Sequence, residues 1–530
     1  MNLPNINVLK KNLALTSSSR CVSGYIEETY KCGAHGPQGP QGAQGPQGPA
    51  GSGSYLTFEY LTYTGTPLDI STTLDVTYIT NISYIDAEFN LANAIDGFVK
   101  YISLTGSDPV QIRTIRGSFN LSPTNPRIQL VYVNNEWNQI RDKTPWYADT
   151  QQGSKLIGTG GVGTSAQGAS VALSADGNTL AIGGYFDDSN TGAVWIFVRT
   201  GTSWSQQGSK LVGTGATGAA QQGLSVALSA DGNTLAVGGR QDDSDAGAVW
   251  VFVRSGTVWA QQGSKLVGTG SVGTPQQGFF VALSADGNTL AIGAPIDDTN
   301  IGAVWVFVRS GAVWAQQGSK LVGTGATGTA QQGYSVALSA DGNTLAVGGF
   351  EDDSQIGASW IFVRSGTTWA QQGSKLIGTG ALGTSKQGFS VALSADGNTL
   401  AIGGQGDDPP TGPGASWIFI RAGTTWTQQG SKLIGTGFVG VPQQGWRLDL
   451  SADGNTLAIG GIGDNGFIGA IWIFTRFGTA WTQQGSKLIG TGATGTARQG
   501  SAIALSADGN TLAVGGFGDA TFTGATWIFV

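Results

Sequence analysis

Histidine and cysteine are almost missing from this chain: His35 stands alone, Cys21 and Cys32 are the two cysteines, and everything after residue 35 lacks both types. That removes His-based triads, cysteine nucleophiles and thiolate or imidazole zinc sites from nearly all of the sequence. Charge is scarce too, at 12% of 530 residues with a formal net charge of −7. No run of lysine or arginine offers the counterion release on which nucleic-acid binding depends, so neutral or glycan-like partners are expected instead. Long apolar runs are also absent. Nothing approaches the roughly 18 residues of a membrane helix, so no membrane insertion is expected, and MNLPNINVLKKNLALTSSSR lacks the apolar core of a secretory signal. A protein of this kind working outside a cell is expected to arrive by assembly onto a particle.

What is abundant is glycine, 87 residues of it, a composition suited to extended, turn-rich architecture. Residues 1–32 read as an N-terminal anchor or tail. From Gly33 to Gly51 the sequence GAHGPQGPQGAQGPQGPAG places glycine at every third position. Only glycine fits the axis of a triple helix, so 33–53 reads as a short collagen-like stalk joining three chains; a stiff Pro/Gly linker is the plainer alternative. Cys21 and Cys32 flank the stalk, either as an interchain disulfide or as free thiols. Residues 54–142 contain β-rich runs such as LDVTYITNISYI and RIQLVYVNNEWNQI, read as a small β-sandwich or jelly-roll module that trimerises the chain.

Beyond residue 142 a repeat takes over. QQGSKL recurs with its lysine at Lys155, Lys210, Lys265, Lys320, Lys375, Lys432 and Lys487, and SADGNTLA also occurs seven times. Each unit holds four strand-like pieces, and Asp-Gly between alternating apolar residues is a hairpin signal. The predicted fold is all-β, a seven-bladed β-propeller over 143–530. The array starts on a fourth-strand piece and stops after a third-strand piece. Ring closure by pairing 143–157 with 524–530 follows, which removes an exposed edge.

QGFFVALSADGNTLAIGAPIDDTNIGAVWVF (277–307) resembles the FG-GAP repeat of integrin α-chain propellers, with a literal Gly293-Ala294-Pro295. The collagen-like stretch followed by a module ending in LVYVNNEWNQI is similar to fibre proteins of giant viruses and phage tails. The first resemblance implies the propeller. Its calcium loops are not carried over, because SADGNT brings one carboxylate within reach where calcium takes six to eight oxygens. The second implies a virion-surface location. No metal or other cofactor is expected.

Candidate chemistry lies in two sets of residues. Asp187, Asp242, Asp297, Asp352, Asp407, Asp464 and Asp519 recur as an acidic turn ring, five of them followed by a second Asp. They read as turn formers, as a negative face, or as acid–base pairs. Tryptophan recurs at two fixed places per unit, suited to packing between blades or to stacking on sugars. The second set lies where the copies disagree: Tyr185, Arg240, Phe279, Tyr334, Phe389, Trp446 and Arg447. Propeller topology gathers these onto one surface, expected to show exposed aromatics and charged donors to a glycan or protein, with drift between copies as the plain alternative. The resulting expectation is a non-enzymatic, homotrimeric attachment fibre binding host glycan or a surface protein. The rivals are a self-associating protective coat and, more distantly, a polysaccharide-acting enzyme.

Overall fold

The turn in SADGNT shows why it is copied so closely. In the computed structural model, which describes residues 150–530 and the backbone of ten short strands ahead of them, the Asp176 carboxylate accepts the Asn178 N–H at 2.9 Å. The Ser174 hydroxyl oxygen accepts the Thr179 N–H at 2.9 Å, and Gly177 reverses the chain at φ +66°. Ser, Asp and Gly therefore each have a separate task in one hairpin, and none is free to vary.

That hairpin pairs Ser170–Leu173 with Thr179–Gly184, after which Ala193–Thr200 and Ser203–Gln206 add in sequence order to complete blade 1. Five more four-stranded sheets follow in the same order, and a seventh has three strands, Ala502–Leu505, Leu512–Gly516 and Ala525–Phe529. The chain is a seven-bladed β-propeller. Residues 151–156 lie along the open edge of blade 7: Gln151 bridges Phe529, Leu156 bridges Thr526, and the Gln152 N–H donates to the Ile528 carbonyl at 2.8 Å. A ring of backbone bonds links the first hairpins of all blades. Ala175 N–H donates to Ala230, then Ala230 to Ala285 and on through Ala340, Ala395, Ala452 and Ala507, whose N–H returns to Ala175, all at 2.8–2.9 Å.

Between blades the core is built around the third-strand tryptophans. Trp195, Trp250, Trp305, Trp360, Trp417, Trp472 and Trp527 are all 0% exposed. Trp250 packs among Ala181, Val194 and Ile196 of blade 1 and Leu235, Val237 and Phe252 of its own blade. Its indole N–H donates to the Thr214 carbonyl at 2.8 Å, so the one polar atom of the ring is satisfied. A Cβ on Gly213 would overlap the same indole, which accounts for the first glycine in every GTG. No sugar reaches these rings. The fourth-strand tryptophans are half-buried, with Arg254 lying 5.4 Å over Trp259 and Gln207 accepting its N–H at 3.0 Å.

The N-terminal unit, Met1–Thr144, contains a six-stranded mixed sheet in the order Leu9–Lys11, Phe58–Thr62, Val76–Thr80, Val99–Thr105, Arg127–Val133, Glu136–Ile140. The pairings 58–62 with 76–80 and 76–80 with 99–105 are parallel; the others are antiparallel. The tail other than Leu9–Lys11, the collagen-like stretch 33–53, Cys21 and Cys32 lie outside the described residues, as does any sandwich packing of this unit.

Candidate functional site

One face of the propeller is made by two sets of loops, those joining second to third strands and those joining one blade to the next. Backbone bonds lace them together. In blade 1 the Asp188 N–H donates to Val162 at 3.0 Å, while Gln221 and Gln222 of the next connection donate to Asn190 and Thr191 at 2.8 and 3.0 Å. The second-to-third loop has an unusual backbone: Asp188, Ser189 and Asn190 have φ of 48°, 56° and 68°, three successive left-handed residues. Non-glycine residues normally adopt that conformation singly, at a cost of about 1–2 kcal/mol each. The flanking bonds hold the turn in place, and it recurs in blades 2, 3, 4, 6 and 7.

The acidic ring anchors these turns from inside. Asp187 is fully buried; one carboxylate oxygen accepts the Val162 N–H at 2.7 Å and the other is ion-paired with Lys210. Lys265, Lys320, Lys375, Lys432 and Lys487 repeat the pairing with Asp242, Asp297, Asp352, Asp407 and Asp464, and Lys155 closes the ring on Asp519. Of the readings open for this ring, the structural one fits this geometry and a negative face does not. Each carboxylate is neutralised by the lysine of QQGSKL, and the ring is a clamp between strands and loops. The second acid of the pair, as in Asp188, Asp243 and Asp298, is the exposed one.

The divergent residues do come together, at the mouth of the central channel. Phe279, Tyr334, Phe389 and Trp446, from the connections into four successive blades, form a chain of rings with centroids 4.8, 4.9 and 4.8 Å apart. Phe350 closes on Tyr334 and Phe389 at 4.5 and 5.4 Å. Arg240 lies 5.4 Å over Phe279, and Arg447 reaches across to Phe280 and Phe389 at 5.4 and 5.8 Å. Burial raises the Tyr334 hydroxyl above its usual range and lowers Arg447 from its own. The expectation of freely exposed aromatics is corrected here: Phe389 is only 4% exposed, and Tyr185, Arg240, Phe279, Tyr334, Trp446 and Arg447 are half-buried. Large rings on adjacent blades meet and bury one another's faces, and the Arg447 guanidinium is buried among them. On the remaining blades the same position carries Ser501, Ala169 and Leu224, so the rim is built up on one side.

Against known proteins, no family model matches the chain and no curated protein matches it. Among solved structures, a chain titled Kuenenia stuttgartiensis hydrazine synthase superposes with a TM-score of 0.44 at 14% identity, covering 71% of this chain and 99% of that one. The propeller rests on the strand order above.

Two features of the face take their meaning from the structure. Asp449, in the first strand of blade 6, does not look outward. Its carboxylate accepts the Leu505 N–H of blade 7 at 2.7 Å and the Leu450 N–H at 2.9 Å, and burial pushes the group up to about 7 against the pull of those donors. The other feature is the distribution of cations. Seven lysines are committed to the buried acids, and the third-strand arginines, such as Arg254 and Arg309, lie over tryptophans and donate to Asn233 and Asn288. Four basic residues fall outside this framework: Arg240, Lys386, Arg447 and Arg498. Among the described residues none of the four is ion-paired. All lie on the mouth face, in its loops or at the top of a first strand. The signal was present in the sequence, as the aligned series Ala166, Gln221, Gln276, Gln331, Lys386, Gln443, Arg498.

Among the described residues no three acidic, histidine or cysteine side chains come together, and no helix is long and apolar enough to cross a membrane.

Proposed function

We propose that the protein is a non-enzymatic attachment protein of a virion surface, with a propeller head that binds host glycan or a surface protein through the channel mouth. The reading includes a stalk-linked trimer and kinship with FG-GAP blades and giant-virus fibres, drawn from the sequence patterns at 33–53 and 277–307. One observation carries it: on a scaffold otherwise copied closely, both the bulky aromatics and the four basic residues outside the repeated framework, Arg240, Lys386, Arg447 and Arg498, gather on a single face. Aromatic rings beside guanidinium groups that no carboxylate neutralises are the groups that sugars and protein side chains need. Three linked heads turn weak contacts into avidity. Binding of the full-length chain to a glycan array is the test. Signal that falls to background on Trp446→Ala supports the mouth as the site, and signal unchanged by that substitution removes it.

A second reading, a self-associating coat, draws on the opposite face, where Phe477 is 84% exposed at the tip of a third-to-fourth-strand hairpin. It calls for a mass in solution that rises with concentration and drops back on Phe477→Ser.

A further inference from the structure

Blades 6 and 7 depart from the others in three ways at one place. At the last residue of the left-handed turn, blades 1–4 carry Asn190, Asp245, Asn300 and Gln355, whereas blades 6 and 7 carry Phe467 and Phe522. Both phenylalanines hold positive φ, 68° and 65°, a conformation in which Asn and Asp are at home and a bulky ring is not. They are also exposed, at 45% and 36%. The second departure is the acid at the start of the turn: Asp188, Asp243, Asp298 and Asp353 become Asn465 and Ala520. The third is Arg498, which stands between the two turns.

Arg498 is fastened at its backbone, its N–H donating to the Phe467 carbonyl at 2.9 Å. Its guanidinium lies 5.6 Å over Phe467, 5.1 Å over Phe517 and 5.7 Å over Phe522. The Nε is buried without a hydrogen-bond partner, and no carboxylate pairs with the group. A fixed cation with no carboxylate beside it is what an anionic ligand would complete. Random drift would not be expected to remove two acids, add two strained aromatics and place one unpaired cation among them at the same seam. Strained backbone concentrates where a side chain is needed at a set position.

We infer that Arg498 with Phe467, Phe517 and Phe522 forms a binding site for a carboxylate-bearing sugar, a uronic or sialic acid type of residue. The guanidinium takes the carboxylate through its outer N–H groups, and the solvent-facing rings of Phe467 and Phe522 take the apolar side of the pyranose. Loss of the acids at 465 and 520 removes the charges that would repel such a ligand. The inference rests on the glycan-binding reading above and adds the charge and the place of the sugar.

Full-length protein titrated with 3′-sialyllactose, a galacturonate trisaccharide and neutral lactose tests it, the two acids separating a sialate from a uronate source. The informative variants restore residues that the repeat already tolerates: Arg498→Gln, the residue of blades 2, 3, 4 and 6, and Phe522→Asn, the residue of blades 1 and 3. Both should fold as the parent does. At least one acidic sugar binds more tightly than lactose; Arg498→Gln weakens it about tenfold or more, and Phe522→Asn about threefold to tenfold. Lactose binding equal to that of both acids, affinity unmoved by Arg498→Gln, or preference for an acidic peptide such as hexaglutamate overturns the inference. If glycan binding is lost on Trp446→Ala but untouched by Arg498→Gln, the mouth reading stands and this one falls. If no saccharide binds, this inference falls and the mouth reading is left with a protein partner alone.

Discussion

Blades 1–4 and blades 6–7 use the same turn for different ends. In both regions the first Asp is buried and ion-paired with the lysine of its blade, the loop N–H groups are bonded to the next connection, and the tryptophan is out of reach of solvent. The framework does not distinguish them. What differs is the residue that the left-handed turn presents to solvent: Asn300 suits its φ of 69°, while Phe467 at 68° does not. A framework held this tightly can tolerate a strained side chain, because the neighbouring bonds determine the backbone without its consent. The lesson is that a repeat's redundancy lets single copies depart from the local optimum while the other copies keep the ring closed.

The comparison breaks most visibly if the framework itself is unequal. Trp360→Ala in blade 4 and Trp472→Ala in blade 6 each leave a cavity at a blade seam and are expected to cost about 3–5 kcal/mol of stability by denaturant unfolding. The two losses should agree; a much smaller loss in blade 6 would mean that the divergent blades are loosely packed.

A second, smaller effect is confined to the blade 6–7 seam. Asp449 has a folded-state pKa raised to about 7 by burial, well above its ordinary 3.8. Between those values the folded chain holds a proton that the unfolded chain has released, so stability is greatest below about pH 4 and falls as pH rises toward 7. The slope is at most ~1.4 kcal/mol per pH unit for this one group, and it levels off above that range. Asp449→Ala, which restores the alanine present at this place in the other blades, should remove that segment of the pH profile and raise the melting temperature at pH 8. A profile unchanged by the substitution would put the carboxylate in solvent.

The smallest effect sharpens the comparison directly. Phe467→Asn and Phe522→Asn are expected to stabilise by about 1 kcal/mol each, because asparagine fits the left-handed region. Asn300→Phe should destabilise blade 3 by a similar amount. Equal melting temperatures for both exchanges would show that the turn carries no strain.

Much of this could be read in the residues alone. Seven copies of SADGNTLA, four strand-like pieces per copy and a shifted start and stop lead to seven blades and to a ring completed by residues near 151 and 529, because hairpin signals and pattern periods are local. The divergent positions were legible as well, and they do share a face, since strand direction alone decides which connections emerge together. Their surroundings were not legible. The second Asp of each pair looks like the first in sequence, yet Asp297 is buried against Lys320 and Asp298 is exposed. Phe279, Tyr334, Phe389 and Trp446 looked like surface aromatics, and packing turned them against one another.

The sequence by itself determined the repeat, the blade and the number of blades, because each depends on contacts between residues close along the chain. Only the tertiary structure decided which charges are neutralised and which are left over. Arg498 meets Phe467, Phe517 and Phe522 across a blade seam, and Asp449 meets Leu505 of the next blade. Desolvation and ion pairing are set by neighbours in space, which ring closure brings together from separate turns of the chain.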